Sequence, residues 1–153
     1  SGKRTRSSMS GTDRPYEAYV YALREQVAQH LAGLDELSDA LAVRPLSFNE
    51  RNAAERGLQV LVEMAIGCSK HLLKARQLPV PAEARAALER VYEQLALTAP
   101  PIAVMRGAVG MRNAIIHDYL NLDWQRLETV LAGRKYHEVA RYSEVLCGEL
   151  LAG

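Results

Sequence analysis

The amino-acid sequence predicts an all-α fold, an antiparallel helical bundle of four main helices plus a short additional helix. Apolar residues recur in steps of three and four over long stretches, and proline and capping signals punctuate those stretches. No window alternates apolar with polar residues in the way of a half-buried strand.

Between residues 16 and 42, Val20, Leu23, Val27, Leu31, Leu34, Leu37 and Leu41 keep to one face of a long helix, which Pro45 closes. Ser47-Phe48-Asn49-Glu50 has the form of a capping box, in which serine and glutamate side chains each satisfy a backbone N–H left open at a helix start. Behind it Ala54, Leu58, Leu61, Ala65, Cys68 and Leu72 mark a second helix. Val62, Ile66 and Leu73 widen that stripe, so this helix should be the most buried element.

Pro79 and Pro81 interrupt the pattern, and Ala87, Val91 and Leu95 support a shorter third helix ending before Pro100-Pro101. A fourth helix starts at Pro101, whose fixed φ suits the first helical position, and its apolar pattern runs on to Leu120. Asp123 reads as the N-cap of a short helix, with Leu122 and Leu127 placed as a hydrophobic staple. A final helix around residues 135 to 151 is expected to bury Val139, Tyr142, Leu146 and Leu150.

A chain of 153 residues is the size of one domain with its own core, expected here over residues 15–153. Residues 1–14 are polar and basic, with Met9 inside them as a candidate natural start; they are expected to form a flexible N-terminus, partly derived from cloning. Lysines and arginines (19) nearly balance aspartates and glutamates (18), so the charge count alone points to neither a nucleic-acid clamp nor an acidic tail. Without Lys3, Arg4 and Arg6 the formal charge is about −2, so any RNA-binding surface has to be local.

Cys68 and Cys147 each sit in an apolar helical pattern, which fits buried reduced thiols and a cytoplasmic protein better than a disulfide framework. No segment reads as membrane-spanning. No histidine pair has metal-binding spacing with a carboxylate partner and no glycine-rich phosphate loop appears, so neither metal nor cofactor is expected.

The polarity of RNAIIHDY, Arg112 to Tyr119, stands apart from its apolar surroundings. On a helix of about 100° per residue, Ile102, Met105, Val109, Ile116 and Leu120 share an arc, Arg112 lies at its edge, and Tyr119 stands nearly above Arg112. A guanidinium in that position needs a carboxylate or a wet cleft; Asp35, Glu55 and Glu63 are the candidate carboxylates. His117 projects about 140° away, on an arc with Arg106, Asn113 and Gly110.

For Arg112 and His117 to meet one substrate, either the helix loosens near the histidine or a second subunit supplies the missing half. A twofold pairing would bring two arginines and two histidines into one cleft, and Gly110 would permit close approach of the partner helix, although a merely tolerated glycine explains it as well. Histidine can move protons near neutral pH, and arginine can grip a phosphate and stabilise its developing charge. RNA carries its own nucleophile in the 2′-hydroxyl.

Arg112, four residues, His117, one residue and Tyr119 match the signature of the HEPN superfamily, including the polar residue after the arginine, here Asn113. The segments MRNAIIHDYLNLDWQRL and ERGLQVLVEMAIGCSKHLL strengthen the likeness, and most of residues 16–151 resembles the HepT-type toxins of HepT and MntA toxin–antitoxin pairs. The resemblance implies a HEPN-like domain acting as a metal-independent endoribonuclease at a homodimer cleft. In it Arg112 and His117 would be catalytic, Asn113 supporting, and the product end a 2′,3′-cyclic phosphate. It also implies that a nucleotidyltransferase antitoxin of the MNT type silences the toxin by attaching AMP to Tyr119.

Two other readings stay open at this level. A non-catalytic HEPN module would bind a nucleotide or a nucleotidyltransferase partner through the same residues. Alternatively, Arg112 is a structural ion pair, His117 a satisfied interfacial histidine, Asp118 a solvated charge and Tyr119 a core aromatic with its hydroxyl at the rim. His30 and His71 read as packing or surface residues, His137 as exposed, and Tyr16, Tyr19 and Tyr21 as core and rim residues rather than a base-stacking platform.

Overall fold

Among the described residues six α-helices follow one another: α1 (Glu17–Leu41), α2 (Phe48–Ala75), α3 (Ala84–Leu95), α4 (Ile102–His117), α5 (Trp124–Ala132) and α6 (Tyr136–Ala152). A 3-10 turn, Tyr119–Asn121, joins α4 to α5, and the described residues contain no strand. The computed structural model describes residues 15–153; the flexible N-terminus expected over 1–14 lies outside the described residues.

The local signals act as expected. At the start of α2 the Glu50 N–H donates to Ser47 Oγ at 3.1 Å and the Ser47 N–H donates to Glu50 Oε1 at 2.8 Å, which completes the capping box. Arg44 clamps the same carboxylate through two hydrogen bonds of 2.7 and 2.8 Å. Asp123 caps α5 by accepting the Gln125 N–H at 3.0 Å.

The core is built around α2, which packs against α1, α3, α4 and α6. Its stripe of Ala54, Leu58, Leu61, Val62, Ala65, Cys68, Leu72 and Leu73 is buried, each large apolar side chain contributing about 1.5–3 kcal/mol. From α6, Val139, Tyr142, Leu146 and Leu150 close on it. Inside this interface the Tyr142 hydroxyl lies 2.6 Å from Ser69 Oγ, which itself donates to the Ala65 carbonyl at 2.9 Å. Cys68 and Cys147 are buried free thiols. A hydrogen bond with Cys147 and burial push the Cys68 thiol up, so it stays protonated and is no nucleophile.

A polar hub ties α1 to the start of α6. Asp35 Oδ1 accepts from the Tyr136 hydroxyl at 2.5 Å and lies 2.8 Å from His137 Nε2, while Arg134 reaches Asp39 and Ser38. Burial alone would raise the Asp35 carboxyl, but the Tyr136 and His137 hydrogen bonds and the Arg134 charge hold it below its usual range. His137 was expected to be exposed; its side chain is instead partly covered and engaged by a residue 102 positions away.

The fourth helix is shorter than its apolar pattern implies. It ends at His117, where Asp118 leaves helical geometry at φ −136 and ψ 35, and Leu120, expected on the buried arc, is 83% exposed. The 3-10 turn meets the hydrogen-bonding needs of this end: the Asn121 N–H donates to the Asp118 carbonyl at 3.0 Å, and Asn121 Nδ2 donates to Asp118 Oδ1 at 3.2 Å. No helix of the described residues is long and apolar enough to cross a membrane.

Candidate functional site

The position of α4 is set from its N-terminal end. Tyr92 of α3 stacks on Tyr142 with ring centroids 5.7 Å apart and donates its hydroxyl to the Pro100 carbonyl at 2.7 Å, which pins the lead-in to α4 onto the core. From there Met105, Ala108, Val109 and Ile115 turn inward at helical spacing. Arg112 sits on that same inward stripe, between Val109 and Ile115, so its side chain is carried toward α2.

There it meets Glu63. Arg112 Nε lies 3.5 Å from Glu63 Oε1, with the arginine side chain 16% exposed and the glutamate 44% exposed. Of the carboxylates that sequence left open, Glu63 is therefore the partner; Asp35 belongs to the hub with Tyr136 and His137, and Glu55 forms no pair with Arg112. The contact is an ion pair without a hydrogen bond, and the buried Nε has no acceptor. An unmet buried donor costs about 1–3 kcal/mol, so this guanidinium is held charged and under-satisfied beside the end of α4.

His117 is the last residue of α4 and is exposed. Asn113, one turn earlier, is exposed too, and no hydrogen bond joins the two among the described residues. Arg106, on the same arc, is occupied by Glu89 of α3 at 2.8 Å. Tyr119 is 68% exposed and belongs to the 3-10 turn, so it does not stand above Arg112 as an uninterrupted helix would place it. The helix stops directly after the histidine, so the backbone between His117 and Tyr119 is freed from helical projection. Arg112 still faces α2 while His117 faces solvent.

One contact near the site has no signal in the sequence. The Arg51 guanidinium of α2 lies 4.7 Å over the Trp124 ring, fixing the start of α5 across a separation of 73 positions. Among the described residues no group of three or more histidines, cysteines, aspartates or glutamates is arranged to hold a metal ion.

Fold and site together define an all-helical bundle that presents an arginine, a histidine and an exposed tyrosine around the abrupt end of one helix. The family model described as Ribonuclease HepT-like matches residues 25–146, and the chain belongs to that HepT-like family. Among solved structures, a toxin–antitoxin assembly with AMP-PNP is similar with a TM-score of 0.73 at 16% identity, over 83% of this chain and 96% of that one. The tri-AMPylated HEPN toxin of Shewanella oneidensis, in complex with an MNT antitoxin, is similar with a TM-score of 0.73 at 17% identity, over 82% of this chain and 94% of that one. These likenesses establish the HEPN toxin fold. By sequence, no curated protein matches the chain.

Proposed function

We propose that this chain is the toxin of a toxin–antitoxin pair, a metal-independent endoribonuclease that works as a cytoplasmic homodimer and is silenced by AMPylation of Tyr119. The observation that carries the reading is the state of Arg112: charged, largely buried, with a buried Nε that lacks an acceptor, one and a half turns from an exposed histidine. A structural ion pair would be expected to satisfy its donors, and this one leaves a buried donor unmet beside Glu63.

In the dimer, Arg112 and His117 from each chain line one cleft. The 2′-hydroxyl oxygen attacks phosphorus, one His117 takes the hydroxyl proton, and the other protonates the departing 5′-oxygen, which leaves a 2′,3′-cyclic phosphate and a 5′-hydroxyl. Arg112 stabilises the extra negative charge on the pentacoordinate phosphorus, the step at which a fixed cation lowers the barrier most. Asn113 supports this cleft from the exposed face. Silencing uses the exposure of Tyr119: its phenolic oxygen attacks the α-phosphorus of ATP bound to an MNT-type nucleotidyltransferase, loses its proton and releases pyrophosphate. The attached AMP then sets a bulky anion beside the cleft.

The test uses protein whose Tyr119 is shown unmodified by intact mass. It should cleave RNA in the presence of a chelator, and His117→Ala should abolish cleavage. Equal cleavage by that variant sinks the assignment, and tight binding to a nucleotidyltransferase without any RNA turnover identifies a non-catalytic module instead. A monomer by light scattering at micromolar concentration overturns the two-chain cleft.

A further inference from the structure

Between α4, α5 and the start of α6 runs an open groove of about 580 Å³, within the size range of small-molecule and nucleotide clefts. Gly110, Met111 and Ala114 form its α4 wall, Leu127 and Val130 its α5 wall, and Val139 of α6 lies at its base. Its outer rim is cationic, with Arg85, Arg126 and Lys135 supplied by three separate segments.

The rim cations differ from the rest of the surface. Most described lysines and arginines lie against an acceptor or a ring, as Arg24 does on Glu144, Arg76 on Glu149 and Lys70 on the Ala82 carbonyl. Among the described residues, Arg56, Lys74, Arg85, Arg126 and Lys135 have no ion pair, side-chain hydrogen bond or ring contact, and the last three line this one groove. The carboxylate on the lining, Asp123, is turned to the Gln125 N–H as a helix cap, and Arg106 is already neutralised by Glu89. The result is an apolar floor beneath three cations that no carboxylate contacts, with Asp123 the single acidic residue on the lining, in a chain whose overall charge is close to zero.

We infer that this groove holds the single-stranded RNA chain next to the scissile phosphate, with bases on the apolar floor and phosphates on Arg85, Arg126 and Lys135. The inference rests on the ribonuclease reading and extends it from the cleaved bond to the strand beside it. Single-strand binders combine a cationic track with apolar or aromatic surface for the bases. A second copy of this chain is the poorer occupant, because twofold contact through the groove would press like charges together.

The location fits as well. The α4 wall ends at Ala114, one turn before His117, and the turn that carries the exposed Tyr119 connects the α4 and α5 walls. A nucleotidyl group on Tyr119 would bring its negative phosphate to the mouth of the groove, where it competes with RNA for the same cations.

Binding is measured on the His117→Ala protein, so that cleavage does not interfere, by fluorescence anisotropy of a labelled single-stranded RNA of about 12 nucleotides. Adding Arg85→Gln, Arg126→Gln and Lys135→Gln together should weaken binding at least tenfold. The slope of log affinity against log salt should become shallower by about 2, since each single-strand phosphate contact contributes about 0.7. The control pair Arg56→Gln and Lys74→Gln should leave both unchanged, and melting temperatures should be equal because none of these side chains is engaged in the fold. Unchanged affinity and slope in the triple variant overturn the groove, as does an absence of measurable binding by the parent. A changed oligomeric state in the triple variant overturns it in favour of a contact between copies. Cleavage by the otherwise wild-type chain is scored separately. Cleavage with an unaltered triple variant removes the groove and keeps the ribonuclease, whereas groove-dependent binding without cleavage removes the ribonuclease and keeps the groove.

Discussion

Replacing Glu63 by glutamine keeps the side chain's shape and removes the charge that faces Arg112. At the 3.5 Å separation of Nε and Oε1, the gross Coulomb attraction is about 5 kcal/mol at an effective dielectric constant of about 20. Glu63 is 44% exposed and the contact lacks a hydrogen bond, so the net contribution to folding shrinks to about 1 kcal/mol or less. For a domain of this size that is a fall in melting temperature of about 2–4 °C at most.

The effect on catalysis should be larger than the effect on stability. The carboxylate restrains a side chain that otherwise carries about 2 kcal/mol of rotamer entropy, which under the proposed ribonuclease mechanism must be frozen again when Arg112 meets the transition state. Recovering about 1.4 kcal/mol of that restraint in each turnover predicts a roughly tenfold lower kcat. KM should change little, since an Arg112 freed from its anion still attracts phosphate. The assay is steady-state cleavage of a short fluorogenic RNA by wild type, Glu63→Gln and Glu63→Asp, with thermal melts in parallel. Restoration of part of the kcat by aspartate marks the charge as the agent. An unchanged kcat in Glu63→Gln refutes the positioning role, and a loss equal in both variants that follows the melting temperature reduces Glu63 to a structural residue.

Two further outcomes test the fold that carries the site. Tyr142→Phe removes a buried 2.6 Å hydrogen bond to Ser69, while Ser69 keeps its bond to the Ala65 carbonyl; the expected loss is about 1–1.5 kcal/mol, seen as a melting temperature lower by a few degrees, and no change would contradict the assigned network. Hydrogen bonds from Arg44 and from the Ser47 N–H depress the Glu50 carboxyl to about 2. Because the folded value lies below the unfolded value of about 4.3, this contribution is fully present above that pH and is lost as pH falls toward 2. Wild type should therefore lose melting temperature more steeply than Glu50→Gln between about pH 4.5 and 2. Parallel curves would show the clamp to be inert.

The amino-acid sequence by itself determined what depends on neighbours within a turn or two. The capping box at Ser47 and Glu50, the Asp123 cap, and the buried stripes of α2 and α6 all form where their spacing places them, because helix signals and amphipathic faces act through i, i+3 and i+4 contacts. The polar motif was legible for the same reason, as a break in an apolar period. Tertiary structure decided the remainder. Leu120 continues the apolar period of α4, yet the chain leaves the helix at Asp118, a choice that periodicity does not register because both conformations meet their hydrogen bonds locally. The choice of Glu63 over Asp35 for Arg112, and the capture of His137 by Asp35, depend on which helices face one another. The rim of the groove gathers Arg85, Arg126 and Lys135 from three segments. Charges so far apart in the chain are paired or left unpaired only by packing, since their interaction falls off within about 10 Å of solvent-screened space while the chain between them can span several times that distance.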